Sequence, residues 1–430
     1  MIDFETQKRP RGKISPKLLY KTSAVEKIIN ALSARGAQVR FIGGCVRDAI
    51  AGRTINDIDI ATTDPPLIAF DLLKKVKIKT VRTGIKHGTI TAFAYEKKFE
   101  ITTLRIDKET NGRHANVKYT NDWLADAARR DFTINALSLT PEGDIYDYFD
   151  GLSDLKNGLV RFVGEPNARI VEDHLRILRF FRFLSDYGRK SVDQNSFIAC
   201  CKHAEKVKLL SGERIRDEFL KILDGRDPIR AISMMNKASI LQQILHGQYK
   251  VDYLQLMLEV EKIKINGKFI KKDRLRRLGV LLMDFNVTDI NKVCKNLRLS
   301  KQQTRRLYSM SDSIPIFNKK DQKNTVLKAL SDFTLEDVYD KIIIAWIKQA
   351  QMTSRLSETQ VSGLIELLKL ATRKQKIKFP LDGRDVLSLG VEEGPEVGAF
   401  LDAVKLWWED GDFKASHREC LTRLEKLVAN

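Results

Sequence analysis

The chain has 430 residues, 43% of them hydrophobic, and carries 75 basic against 56 acidic side chains, a formal charge of +19. Such a length allows two to four domains with real cores, and such a charge speaks for a nucleic-acid partner. No uninterrupted apolar run reaches the roughly 18 residues of a membrane span, and MIDFETQKRPRGKISPK at the N-terminus lacks the apolar centre of a secretory leader. Five scattered cysteines (Cys45, Cys200, Cys201, Cys294 and Cys420) form no CxxC, and six histidines form no HExxH, so we expect a reduced, cytoplasmic protein without a zinc site.

Two textures follow one another along the chain. AVEKIINALSARG (24–36) has helical apolar spacing closed by a glycine. QVRFIGG predicts a strand running into a turn, and CVRDAIAG a short helix. DIDIAT, IKTVRT, GTITAFAY and FEITTLR are rich in β-branched and aromatic residues and predict strands of a mixed sheet. After about residue 165 the strand signals stop, and segments such as EDHLRILRFFRFLSDYG and SGERIRDEFLKILDG show 3.6-residue periodicity. Breaks fall near Asn266–Gly267, near Ser313–Pro315 and at FPLDGRD. KIKINGKFIKKDRLRR (262–277) is the densest basic run and predicts a solvated helix face plus a loop.

GGCVRDAIAGRTINDIDIATT (43–63) places Asp57 and Asp59 two apart in an apolar strand. Residues two apart share a strand face, so the carboxylates repel each other unless a cation lies between them. Mg²⁺ takes one or two carboxylates together with substrate phosphates, and paired ions serve in-line displacement at phosphorus. The preceding Gly43 and Gly44 let backbone approach a triphosphate, and the start of the CVRD helix offers N–H groups to it.

Further along, ARRDFTINAL supplies Arg129, Arg130, Asp131 and Asn135, with arginine forks suited to phosphate. EDHLRILRFFRF places Asp173 and Arg176 three apart on a predicted helix, hence as neighbours. Aspartate only accepts hydrogen bonds and arginine only donates them. Cytosine and adenine both present an amino donor beside a ring-nitrogen acceptor; guanine and uracil present the reverse order. One Asp–Arg pair can therefore take C and A and refuse G and U. A plain i, i+3 ion pair is the bland alternative, worth little at a surface.

GGCVRD…NDIDIAT resembles motif A of the class II branch of the polymerase-beta-type nucleotidyltransferases, the CCA-adding tRNA nucleotidyltransferases and bacterial poly(A) polymerases. GIKHGTI, FEITTLR, ARRDFTINAL, DGLSDLKNG, EDHLRILRFFRF, GERIRDEF and PLDGRDVLSLGVEEGPEVGAFL resemble the family's other segments in order. The resemblance implies an α+β fold: a polymerase-beta-like nucleotidyltransferase head with a mixed sheet over 1–150, then an all-α neck (151–225), body (226–312) and tail (313–430). It implies Asp57 and Asp59 as metal-binding catalytic residues, and Glu100 as a third carboxylate that orients metal or helps deprotonate the attacking hydroxyl. Gly43, Gly44, Arg47, Arg130, Asp131, Asn135, Asp173, Arg176 and Arg179 become the nucleotide-binding set. Asp131 selects ribose and Asp173 with Arg176 acts as a protein template. Glu213 would brace the helix holding Arg176, while Arg179 and Arg182 face triphosphate or tRNA, or pair with neck acids.

The implied activity adds C, C and A to the 3′ end of tRNA from CTP and ATP with Mg²⁺. The partner is tRNA, gripped by its acceptor and T arms, with no membrane and no obligate protein partner. RIDKETNGRHANVKYTNDW (105–123) resembles the family's mobile loop, with Arg113 and His114 near its centre. Poly(A) polymerases usually carry an arginine-rich run where TGIKHGT stands here, which favours CCA addition over that rival; A-only addition in a split pathway is not separated by motifs. Phe180 and Phe181 after Arg179, and Tyr148 in DYFDG, depart from the family pattern without removing a reactive group.

Overall fold

The computed structural model describes residues 9–16, 19, 23–95, 97–111, 114–189, 191–247, 249–311, 322–350, 357–373 and 378–429, with only the backbone described at 107–111 and 114–116. The chain divides into two compact units, Met1–Leu245 and His246–Asn430.

The first unit opens with a sheet. Its strands are β1 (Gly12–Lys13), β2 (Val39–Ile42), β3 (Ile58–Thr62), β4 (Lys79–Gly84), β5 (Thr89–Ala94), β6 (Lys97–Thr103), β9 (Ser138–Leu139) and β10 (Asp144–Tyr146), with β7 (Arg105–Asn111) and β8 (His114–Tyr119) forming a separate hairpin. The order across the sheet is β1-β10-β9-β2-β3-β6-β5-β4. β3 and β6 run parallel, while the other named pairs are antiparallel. Helices α1 (Ser23–Ser33), α2 (Gly44–Ile50), α3 (Pro66–Lys75) and α4 (Trp123–Ala128) belong to the same part of the chain. α1 buries Ala24, Val25, Ile28, Ile29, Ala31 and Leu32, a stripe at 3–4-residue spacing. That stripe shares a core with Phe41, Ile60, Phe99, Ile101 and Leu139 from the sheet. The mixed sheet and its strand positions therefore match the sequence reading.

Helices follow: α5 (Gly151–Asn157), α6 (Pro166–Glu172), α7 (Leu175–Tyr187), α8 (Gln194–Lys202), α9 (Gly212–Asp224), α10 (Pro228–Lys237) and α11 (Leu241–Leu245). α7 buries Ile177, Leu178, Phe180, Phe181, Phe183 and Leu184. The departures at Phe180 and Phe181 thus go into packing. Phe132 meets Phe162 at 4.7 Å and Phe183 at 5.1 Å between ring centroids, and Phe162 stacks on Phe180 at 6.0 Å. These rings lock α7 to the segment following α4. Aromatic pairs at such separations add about 0.5–1.5 kcal/mol each beyond burial.

The second unit holds α12 (Val251–Glu261), β11 (Lys264–Ile265), β12 (Lys268–Phe269), α13 (Arg274–Leu281), α14 (Val287–Asn296), α15 (Lys301–Ser311), α16 (Gln322–Asp332), α17 (Leu335–Ala350), α18 (Glu358–Arg373), α19 (Gly383–Leu387), α20 (Pro395–Asp410) and α21 (His417–Val428). Its last three helices enclose a small core of Leu381, Val386, Val404, Trp408, Cys420 and Leu424. No helix among the described residues is long and apolar enough to cross a membrane. The five cysteines are free thiols.

Two sequence expectations are corrected. The basic run 262–277 is not a helix face plus loop. Asn266 (φ 50°) and Gly267 (φ 79°) both take positive φ and turn a β11–β12 hairpin, as an Asn-Gly pair favours. Arg276 and Arg277 are 6% and 1% exposed and serve as buried ion-pair partners. Arg277 Nε donates to Glu261 at 2.9 Å, and Arg276 Nε to Asp340 at 2.5 Å. Nor is 105–123 a loop throughout: Arg105 pairs with Tyr119 and Asn111 with His114 across the β7–β8 ladder. β8 alternates, with Ala115, Val117 and Tyr119 at every second position, but β7 holds one apolar residue, Ile106, so the pair gives no matched strand signal. Arg113 and the side chain of His114 lie outside the described residues, as does the break expected near Ser313–Pro315.

Candidate active site

β2 ends at Ile42, and Gly43 follows with a φ of +68° that only glycine adopts without strain. A Cβ there would stand 3.2 Å from Arg130 Nη1. The turn leads into α2, which begins without a side-chain cap. Three residues into α2, buried Arg47 donates to Asn135 Oδ1 at 2.6 Å and to Asp48 at 3.1 Å. Its guanidinium lies 4.4 Å from the Tyr187 ring centroid.

β3 leaves this turn region carrying Asp59, with Asp57 exposed just ahead of the strand. The parallel register sets Asp59 level with Glu100 on β6. Glu100 in turn accepts from Lys98 at 2.6 Å. Burial, and then the negative charge of Glu100, push the Asp59 carboxyl up to about 6; Asp57 adds to this, and Arg130 opposes it. Asp59 thus sits under the negative field of Glu100 and Asp57, a place whose electrostatics favour positive charge. Among the described residues no three His, Cys, Asp or Glu side chains form a ready-made metal cage. The donor set is hard oxygen from carboxylates, which suits a magnesium ion completing its shell with water and phosphate.

The raised Asp59 value fixes a sign. Between the unfolded value of 3.8 and about 6 the folded chain binds the extra proton, so stability is greatest below 3.8 and falls as pH rises through 6. In chelator, Asp59→Asn is expected to melt a few degrees above the parent at pH 8 and to flatten the melting profile from pH 4 to 6. A variant that melts below the parent at pH 8 would contradict the burial and repulsion assigned to Asp59.

Asp131 and Asn135 meet at 2.9 Å across a single 3₁₀ turn, Thr133–Asn135. Asp131 also accepts from Arg179 Nε at 2.6 Å and from the backbone N–H of Phe132. Burial works against its ionisation, but Arg179, Asn135 and Phe132 outweigh it and hold the carboxyl down to about 2. Arg130 donates to Asp126 at 3.0 Å. Arg179 therefore pairs with an acid of ARRDFTINAL, and Arg182 with Glu218 at 2.9 Å.

Asp173 and Arg176 differ from the sequence expectation. They do not lie on one helix: Asp173 is extended (φ −154°) between α6 and α7. Its carboxylate accepts from the Leu175 N–H at 3.1 Å, the local competition by which aspartate breaks a helix. Both its oxygens accept from Arg214 Nη2, at 3.0 and 2.9 Å. Arg176 donates to Glu172 at 2.7 Å and to the carbonyls of Arg169 and Arg129. The two proposed base readers are each held by another side chain. Arg214, next to the expected brace Glu213, and Glu172, next to Asp173, are the holders that sequence reasoning missed. Arg214 lies 41 residues from its partner, so no local pattern reveals it; Glu172 sits at i−4 from Arg176, a spacing that could have flagged it.

Residues 39–161 match the poly A polymerase head domain, and residues 191–250 match the probable RNA- and SrmB-binding site of polymerase A. The mitochondrial CCA tRNA nucleotidyltransferase 1 of Homo sapiens is 33% identical over 421 residues, covering 94% of this chain and 90% of that protein. The crystal structure of the Bacillus stearothermophilus CCA-adding enzyme in complex with CTP superposes with a TM-score of 0.75 at 23% identity, covering 97% of this chain and 98% of that one. The Thermotoga maritima CCA-adding enzyme complexed with tRNA gives 0.66 at 20% identity, over 97% and 99%. These two structures show the shared fold.

Proposed function

Because the chain belongs to the family of CCA-adding tRNA nucleotidyltransferases and poly(A) polymerases, we propose that it transfers CMP, CMP and then AMP from CTP and ATP to the 3′ end of tRNA, without a nucleic-acid template. The observation that carries this reading is the level pairing of Asp59 with Glu100 beside a glycine turn and arginines, in a chain related to CCA-adding enzymes along almost its whole length. The terminal 3′-hydroxyl of the RNA attacks the α-phosphorus of the bound nucleotide, the P–O bond to the β-phosphate breaks, and pyrophosphate leaves.

Asp57 and Asp59 would hold Mg²⁺, which supplies acidity to the attacking hydroxyl and charge for the leaving pyrophosphate. Glu100 raises the proton affinity of Asp59 by like-charge repulsion, and it would accept the hydroxyl proton. Gly43 and Gly44 leave room for the triphosphate beside Arg130 and Arg47. Asp131, ionised and oriented by Arg179, accepts from ribose hydroxyls with Asn135 beside it. Asp173 and Arg176 read the base edge, exchanging Arg214 and Glu172 for the nucleotide. We further propose the division into head (1–150), neck (151–225), body (226–312) and tail (313–430), and a cytoplasmic location.

A tRNA transcript lacking CCA, given CTP alone, ATP alone or both, tests the activity. Two additions with CTP and a third only with ATP are expected; a long ladder with ATP alone, or a single A added only to a CC end, would refute it. Arg176→Ala is expected to cut the preference for C and A over G and U by about 10-fold or more, an arginine hydrogen bond to a base edge being worth roughly 1–3 kcal/mol. Unchanged selectivity with weakened tRNA binding would return Arg176 to a structural role.

A further inference from the structure

Arg179, Phe183 and Tyr187 stand at i, i+4 and i+8 along α7, one stripe of an α-helix. Arg179 bonds to Asp131, as described above. The Arg47 guanidinium lies 5.1 Å from the Phe183 ring centroid and 4.4 Å from that of Tyr187. Tyr187 also stacks with Arg53 at 3.7 Å, and its hydroxyl donates to Asp48. Arg53 Nη2 donates to the Asp186 carbonyl at 2.5 Å. The end of α7 is thereby fastened to both ends of α2. Tyr187 falls between the segments matched by the two family models and after EDHLRILRFFRF, so no resemblance assigns it a role.

Arg47 is held at its edge by Asn135 and Asp48. A Cβ on Gly44 would stand 3.5 Å from its Nη2, which places the guanidinium at the glycine turn. Beside it opens a hollow of about 280 Å³ lined also by Asp186 and Asp224. A guanidinium released into that hollow would turn to a carboxylate. Tyr187 opposes this twice: its ring covers Arg47, and its hydroxyl fixes Asp48, the partner of Arg47.

We propose that Tyr187 is a positioning residue for the triphosphate, holding Arg47 at the glycine turn and out of the neighbouring hollow. An arginine beside a helix start suits phosphate, and its value there depends on its being held before the nucleotide arrives. The inference rests on the nucleotidyltransferase reading and adds to it a residue that touches no substrate.

The test is steady-state extension of a tRNA transcript by the full chain, with CTP and ATP varied in turn. Tyr187→Ala is expected to raise KM for both about 10-fold, the scale of a desolvated cation–π contact, and to leave kcat within about twofold. Inhibition by pyrophosphate should weaken by the same factor, while inhibition by CMP, which lacks the outer phosphates, should not change. Tyr187→Phe keeps the ring and should stay within about threefold of the parent, the scale of one hydrogen bond. Adding Asp186→Asn to Tyr187→Ala removes the competing carboxylate and should recover at least threefold in KM. Equal weakening of CMP and CTP would show general distortion of the pocket and overturn the proposal. An unchanged KM would overturn it too, as would full recovery by Tyr187→Leu, which restores apolar bulk without the ring. Melting temperatures of all variants are read alongside, and the Phe–Leu contrast decides the matter if the alanine variant does not fold. Calorimetric titration of CTP into the chain without RNA reads the same loss whatever is added to tRNA. The extension pattern of the parent reports on the tRNA reading alone, so failure of one is distinguishable from failure of the other.

Discussion

Asp59→Ala is expected to lower nucleotide incorporation by at least about 10²–10³-fold, the usual loss when one preorganised electrostatic group is removed from a reacting centre. Affinity for tRNA should stay within about twofold, because backbone contacts elsewhere dominate RNA binding. The argument is local. Asp59 lies level with Glu100 and next but one to Asp57. Loss of this carboxylate removes the central oxygen donor of the three. It also ends the mutual repulsion that holds the Asp59 carboxyl up to about 6, so the variant protein should fold at least as well as its parent. A dead enzyme that melts normally and binds tRNA normally is the expected triple result, measured by single-nucleotide extension, thermal melting and anisotropy. Retained incorporation would sink the metal assignment of Asp57 and Asp59. Equal loss of incorporation and tRNA binding would mean that the residue supports the fold rather than the reaction.

The largest stability effect is expected in the second unit. Asp340 has no exposed surface and accepts from Arg276 Nε at 2.5 Å and Arg306 Nε at 2.6 Å. Arg306 extends the network to Asp273 at 2.9 Å and Glu336 at 3.0 Å. Asp340→Ala strips buried Arg276 of its carboxylate while Arg306 keeps Asp273 and Glu336, and breaking a buried pair in this way costs about 3–5 kcal/mol. For a unit of this size that corresponds to a melting transition lower by about 10 °C. Asp340→Asn keeps one acceptor oxygen and should lose less. Calorimetry of the full chain reads the shift. A loss below about 1 kcal/mol would show that the network behaves like a solvated surface pair.

The head was legible because its strands are dense in β-branched residues and because glycine closes α1 and α2. DIDIAT, GTITAFAY and FEITTLR became β3, β5 and β6. The level placement of Asp59 and Glu100 was not legible from pattern alone, since parallel pairing across 41 positions depends on how the sheet closes. The separation of Asp173 from Arg176 was hidden for a different reason. Helical periodicity continues on both sides of the break at 173, where Asp173 accepts from the Leu175 N–H and from distant Arg214. Buried Arg276 and Arg277 were misread because charge in a sequence suggests solvent, whereas their partners Asp340 and Glu261 lie 64 and 16 residues away.

The ring cluster joining Phe132 and Phe162 to Phe180 and Phe183, with Arg179 bonded to Asp131 across the same seam, bears on how such enzymes can be recombined. A chimera spliced at residue 150 would set one parent's aromatic surface against another's and would have to match both at once. A splice after Leu245 leaves that seam inherited whole. Gene exchange among relatives should therefore tolerate the later crossover, and the segment from the glycine turn to α11 should travel as a single heritable cassette.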